Sequence, residues 1–530
     1  MATLHQPIGQ AWLRQELGLN VPSPAVESYM AEGARRTEFD GSQVLEYYPR
    51  RYETPDTAVS HLRFTLRNEA LDIGLLVAAL RVIAPTDIEA WVRSQPTGGY
   101  GRRAWYLYET FTGKTLDLED VRIGNYVPLL DTEKHFVGIP QRSRRHRVTD
   151  NLLGTAGFCP TVRRTRRLKD RIQEHFDQDA KSLLASVDPI ILTRAVNYLY
   201  SKETRSTFEI EGETASASRA ERFVAALTTA AEFDAADKSA LVDLQRTIVE
   251  PRYAARDWRD SQVFVGHTRG GFREHVDFVC PRPQDVPELM EAWTSMTRRV
   301  LRSDLHAVVA AAVVGFSFVF IHPFVDGNGR IHRFLLHHVL SKLGYSPSGV
   351  IFPISASIVR NLPEYDSVLQ SFSKPLSRYI DWHWTPDLEL VVDHDTADQY
   401  RYFDATRFAE YLFDRVEDTL REDLREELNF VAIFDKAFSA VRQVVEMPDR
   451  RASLLVRLCM QNGGRLSARK RKQFSELSDA EVSAMEAGVR AAMESAVPSH
   501  PDSLVELLRH GTGDIVEPDD PPPEDLKLFP

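Results

Sequence analysis

Apolar residues follow two periods along this chain, and the longest apolar run lies near its middle. Residues 305–321 are apolar throughout except for His306, Gly315 and Ser317. A membrane crossing needs about 20 such residues, so the run predicts a helix buried on every side. Pro323 ends it. Helical spacing resumes through Ile331, Phe334, Leu335, Leu336 and Leu340. The same spacing predicts helices over 58–67, 71–82, 105–112, 190–200, 219–233, 239–249, 286–300, 405–416 and 428–445. Alternating residues over 262–265 and 275–279, joined by a turn at 267–271, predict a β-hairpin among helices. Gly98 to Gly101 reads as a loop. Residues 451–494 read as two or three short helices around the basic run Arg469-Lys-Arg-Lys472. A helical cap is preferred there to a winged-helix-like module.

Between the two central helices, residues 322–333 read His-Pro-Phe-Val-Asp-Gly-Asn-Gly-Arg-Ile-His-Arg. Gly327, Asn328 and Gly329 permit a tight turn of positive φ. The second half of the stretch is then a helix start, whose amides have no intrahelical partner and sit at the positive end of the macrodipole. Such a place holds an anion. Arg330 and Arg333 share one helix face and can clamp phosphate oxygens. Asp326 is a hard oxygen ligand suited to Mg²⁺, and His322 can accept a proton at neutral pH. Base, metal ligand, phosphate cradle and charge clamp together specify phosphoryl or nucleotidyl transfer from a nucleoside triphosphate.

The stretch resembles the signature of the Fic family, His-x-Phe-x-(Asp/Glu)-Gly-Asn-Gly-Arg-x-x-Arg, and agrees with it at every specified position. The resemblance implies a protein adenylyltransferase that moves AMP from ATP to a Ser, Thr or Tyr hydroxyl. It implies that His322 is the general base and that Asp326 holds Mg²⁺. It further implies that Gly327, Asn328 and Gly329 form the anion hole, that Arg330 and Arg333 engage the β- and γ-phosphates, and that Phe324 points into the core. The hairpin resembles the family's flap, with Val263, Phe264 and Val265 as the edge that docks the target. Asn361 and Tyr365 loosely resemble residues near the adenine or ribose. AMP removal, or transfer of another phosphate-linked group, fits the same loop. A nucleotide-binding adaptor without catalysis is the reading from another class.

Upstream, the helix predicted from Asp188 runs into Thr207-Phe-Glu-Ile-Glu211-Gly212. Alone this is a helix end with a glycine stop. Beside the Fic signature it resembles the family's inhibitory motif, (Ser/Thr)-x-x-x-Glu-(Gly/Asn). The resemblance implies that Glu211 answers the charge of Arg333 and leaves ATP in an unproductive pose.

Composition limits the rest. A chain of 530 residues suggests about three domains. A net charge of −11 does not favour nucleic acid as a general partner. Two arginine-rich clusters, 142–147 and 163–169, read as solvated surface that pairs with acids elsewhere. Three scattered cysteines and no basic-then-apolar leader suit a reducing cytoplasm and no membrane anchor. His332, His337 and His338 read as structural or solvent-facing, with no metal role. The expected fold is mainly α, a Fic helical core with a β-hairpin flap between a mixed N-terminal region and a helical C-terminal region. The expected parts are 1–184, an N-terminal accessory region, 185–390, the Fic domain with its inhibitory helix, 391–499, a helical domain, and 500–530, an acidic Pro-rich tail. Partners expected are a target protein and self-modification, with a homodimer left open.

Overall fold

The apolar run folds as the helix Ala307–Ile321, in which every residue but Val319 is buried. His306 caps its start, Nδ1 accepting from Val308 N at 3.3 Å. The helix Asn328–Lys342 packs along it. Gly315 permits that approach, since a Cβ there would lie 2.6 Å from Leu336 Cδ2. Phe316 meets His332, and Phe320 meets Phe372 and Phe408, so the central helix is ringed by aromatics.

The computed structural model describes residues 6–40, 43–269 and 273–495. The expected tail, 500–530, and the hairpin tip, 270–272, lie outside the described residues. The chain forms two compact units, one of Met1–His175, Ala215–Tyr345 and Asn361–Asp414, the other of Phe176–Thr214, Ser346–Arg360 and Arg415–Pro530. Helices dominate both. No helix among the described residues is long and apolar enough to cross a membrane.

The first unit opens with a sheet that hydrophobic spacing does not reveal. Its strands are β1 (Gln6–Ile8), β2 (Val26–Met30), β3 (Arg36–Asp40) and β4 (Gln43–Tyr48), in the order β1-β2-β4-β3. The pair β2–β4 is parallel and the other two pairs are antiparallel. Helices Ala58–Asn68, Ile73–Val82, Pro85–Ser94 and Gly99–Thr112 follow. They share a core that includes Leu76, Leu80, Trp91 and Trp105. Gly99 to Gly101, expected as loop, begins the last of these helices. Burial of Trp105, Leu107 and Phe111 along that helix outweighs the low helix propensity of its first turn. The arginine clusters are largely engaged inside the unit. Arg145 binds Glu109 and Asp120, Arg147 donates to the carbonyls of Val121, Arg122 and Gly124, and Arg163 binds Asp404. Arg167 and Arg171 both reach Asp414.

The second unit is helical. Pro189–Ile210 lies against Leu424–Val444, which continues from a π-helical turn at Thr419–Asp423. Asp423 is fully buried, receives Arg360 at 2.7 and 2.8 Å and Lys202 at 2.7 Å, and so staples three segments together. Helices Asp449–Met460, Ala468–Arg471 and Asp479–Glu494 complete the unit, with no strand among the described residues of that stretch.

Candidate active site

His322 ends the central helix in the left-handed region, at φ 52° and ψ 57°. That conformation costs a side chain with a Cβ about 1–2 kcal/mol, so its neighbours must hold it. Arg259 does so. Its Nε donates to His322 O at 2.7 Å and its backbone N to Pro323 O at 2.9 Å. Its Nη1 reaches Ser261 O at 2.9 Å and its Nη2 Pro281 O at 2.6 Å. One buried guanidinium thus joins the His322 loop to both stems of the hairpin. Burial lowers its pKa. No periodic pattern marks Arg259 in the sequence, where it sits in the polar stretch Arg-Asp-Trp-Arg-Asp over 256–260.

The imidazole is oriented as well as placed. Its Nδ1 lies 3.1 Å from Val319 O. A carbonyl only accepts, so Nδ1 carries the proton and the neutral ring keeps its lone pair on Nε2. That nitrogen can take a proton from an incoming hydroxyl.

The loop that follows is closed by Asn328, whose Oδ1 accepts from Phe324 N at 3.0 Å and whose Nδ2 donates to Phe324 O at 2.8 Å. The Asn328 side chain is therefore used inside the loop, and what it can offer an anion is its backbone amide. Phe324 is buried beside Trp258, ring centroids 5.1 Å apart. Gly327, at φ 94°, takes the N-cap position with no side-chain cap. Contrary to expectation, it alone of the three residues has a positive φ, because Asn328 and Gly329 are already helical. Their amides belong to the uncapped first turn, which is the anion-binding part of a helix.

Asp326 is held by its backbone and by its side chain. Its carbonyl accepts from Gln245 Nε2 at 3.1 Å, and the same amide reaches Tyr253 O at 3.1 Å. Its Oδ1 lies 2.6 Å from Arg330 Nη2. Arg330 and Arg333 are both buried. Gln245, fully buried, is a second residue that sequence reasoning missed. It falls on the predicted helix 239–249, and nothing in that pattern separates it from a core position.

His332, His337 and His338 are all buried, none of them solvent-facing. Burial, with Arg333 nearby, pushes His332 down to about 3. Burial likewise pushes His338 down to about 4, although its Nδ1 lies 2.7 Å from Ala230 O. No group of three or more His, Cys, Asp or Glu side chains is arranged to hold a metal among the described residues.

The hairpin strands are Phe264–Arg269 and Arg273–Val279, longer than predicted, with a bulge at Val265/Gly266. Val263 precedes the strand, though its carbonyl still accepts from Cys280 N at 3.3 Å. Phe264 packs on Trp384, and Val265 is exposed. Phe278 rests on Phe320 of the central helix. Asn361 precedes the helix Leu362–Leu376 and donates to Glu364 at 3.0 Å, while Tyr365 is buried. Thr207, Glu211 and Gly212 belong to the second unit, at the end of Pro189–Ile210, with Gly212 at φ 68°.

Comparison with known proteins adds a family. The Fic/DOC family model matches residues 235–340. A protein adenylyltransferase Fic from Drosophila willistoni is 37% identical over 97 residues, 18% of this chain and 17% of that protein. Another from Nematostella vectensis is 32% identical over 110 residues, 20% of this chain and 23% of that one. The chain thus covers less than a quarter of the length of these curated relatives. A Fic family protein of known structure from Desulfovibrio desulfuricans G20 shares 19% identity at a TM-score of 0.36, over 59% of this chain and 85% of that one. The likeness to the Fic/DOC family is carried by residues 235–340, the part of this chain that contains His322 and its loop.

Proposed function

We propose that this chain transfers AMP from ATP to a Ser, Thr or Tyr hydroxyl of a target protein, and that Glu211 restrains the transfer. The observation that carries the reading is the His322–Val319 contact, which leaves Nε2 as the basic nitrogen beside an uncapped helix start. The target hydroxyl gives its proton to Nε2 while its oxygen bonds to the α-phosphorus. The bond from that phosphorus to the bridging oxygen breaks, and pyrophosphate leaves. Amides of the first turn at Asn328, Gly329 and Arg330 receive phosphate oxygens, and the guanidiniums of Arg330 and Arg333 balance their charge.

Asp326 suits Mg²⁺, which binds through one or two carboxylates plus phosphate oxygens rather than in an all-protein cage. The ion would supply charge neutralisation at the phosphates. Val263, Phe264 and Val265 are taken as the target-docking edge, and residues 185–390 as the functional module. All three cysteines are unpaired and buried, which suits a reducing compartment such as the cytoplasm.

Incubation with ATP labelled in turn at the α- and γ-phosphate tests the reading on wild type, Glu211→Gly and His322→Ala. Protein-bound α-label in wild type, more in Glu211→Gly and none in His322→Ala, is expected. Label from the γ-phosphate alone would mean kinase chemistry. No α-label in Glu211→Gly would overturn the proposal.

A further inference from the structure

A groove of about 1020 Å³ opens in the first unit, between the N-terminal helices and residues 367–408. Drug-sized ligands occupy roughly 300–1,000 Å³ and are mostly enclosed, so a space of this size that opens along the surface fits an extended peptide better. Its charge is one-sided. The acids along it are already engaged. Asp404 binds Arg163 at 2.6 Å, Asp398 binds Arg81 and Arg401, and Asp395 binds Arg282 at 2.6 Å. Asp72 is turned to the helix start, accepting from Leu75 N at 2.9 Å.

Four cations remain with no carboxylate partner among the described residues: Arg14, Lys374, Arg378 and Arg407. Arg14 donates only to Val21 O and to the Tyr379 hydroxyl, and Arg407 to Ser367 Oγ. Lys374, near the end of the helix Leu362–Leu376, and Arg378, in the 3-10 turn Ser377–Tyr379 that follows, are both exposed and both line the groove. Ala78 and Val82 of the helix Ile73–Val82 line the same groove and present apolar surface, with Val82 57% exposed. In a chain of net charge −11, four unanswered cations in one groove are a local reversal of sign that attracts acidic partners. The wall helix, Leu362–Leu376, also touches the hairpin through Phe372 and Phe278, 6.4 Å apart.

We infer that this groove docks an acidic, partly apolar segment of the target protein, holding the target beside the hairpin. Only the naming of the partner as a target rests on the AMP-transfer reading; binding itself does not need ATP. The test is fluorescence anisotropy of a labelled peptide, Glu-Asp-Leu-Glu-Asp-Leu-Glu-Glu, with the full chain and no nucleotide. Lys374→Glu combined with Arg378→Glu should weaken binding about tenfold, and added salt should weaken wild-type binding. Self-modification with α-labelled ATP should be unchanged in the double variant, so a loss of AMP transfer and a loss of docking are separable. Equal peptide binding by wild type and double variant would overturn the inference. Equal binding of the Gln/Asn version of the peptide, or displacement by inorganic tripolyphosphate below the peptide's own Kd, would also overturn it, the latter indicating a small-anion site.

Discussion

His322 Nδ1 and Val319 O lie 3.1 Å apart, and this contact decides which ring nitrogen can act as a base. Val319 is also the one residue of the central helix that is only half-buried. The helix therefore opens to the site at the turn whose carbonyl sets the tautomer.

His322→Asn removes the basic nitrogen while leaving a polar side chain at the helix end. A positioned general base contributes about 10²–10⁴-fold, so transfer should fall by that amount. Binding of ATP, measured by calorimetry, should change by less than about twofold, since in the proposed reading the first-turn amides, Arg330 and Arg333 hold the phosphates. Near wild-type transfer would remove His322 from the chemistry.

Arg259 is predicted to position His322 without touching substrate. Its fork serves three backbone carbonyls at 2.6–2.9 Å, a geometry that the point charge of lysine does not reproduce. Arg259→Lys should lower kcat by about tenfold to a hundredfold, because small displacements of a catalytic group are costly, and leave KM for ATP unchanged. Equal loss in kcat and in thermal stability across Arg259→Lys and Arg259→Met would reduce the role to packing.

Gly327→Ala tests the turn. A Cβ at φ 94° would lie 2.8 Å from Val249 Cγ1. Left-handed strain of about 1–2 kcal/mol adds to that overlap, so chemical denaturation should show a loss of roughly 2 kcal/mol or more. A variant as stable as wild type would mean that the loop has an alternative conformation.

What the sequence revealed followed the physics of each element. Residues 305–321 were legible because burial on all sides needs an unbroken apolar run. The 322–333 loop was legible because its chemistry is local in the chain: base, carboxylate, glycines and two arginines all fall between His322 and Arg333. Arg259 and Gln245 were not, since each acts on backbone carbonyls that are distant along the chain, and carbonyls leave no mark in side-chain pattern. The N-terminal sheet was hidden for a related reason. Its strands are short, and β3 is largely exposed, with Phe39 77% accessible, so apolar alternation there is weak. The helix at Gly99 was misread because its glycines speak against a helix that tertiary burial stabilises.

Buried histidines should make the first unit acid-sensitive. His332 is pushed down to about 3 and His338 to about 4, chiefly by burial, from an ordinary value of 6.5. Burial also pushes His61 and His135 down to about 4. Each folded-state value lies below the unfolded one, so between the two the unfolded chain binds more protons. The stability these neutral rings contribute is complete above about pH 6.5 and is lost as pH falls through the window toward 3–4, with a slope of up to about 1.4 kcal/mol per pH unit for each histidine. His332→Leu should flatten the dependence by about one proton, read from urea midpoints between pH 6.5 and 4.5, with little change at pH 7. Identical slopes for variant and wild type would show that His332 does not remain neutral in the folded chain.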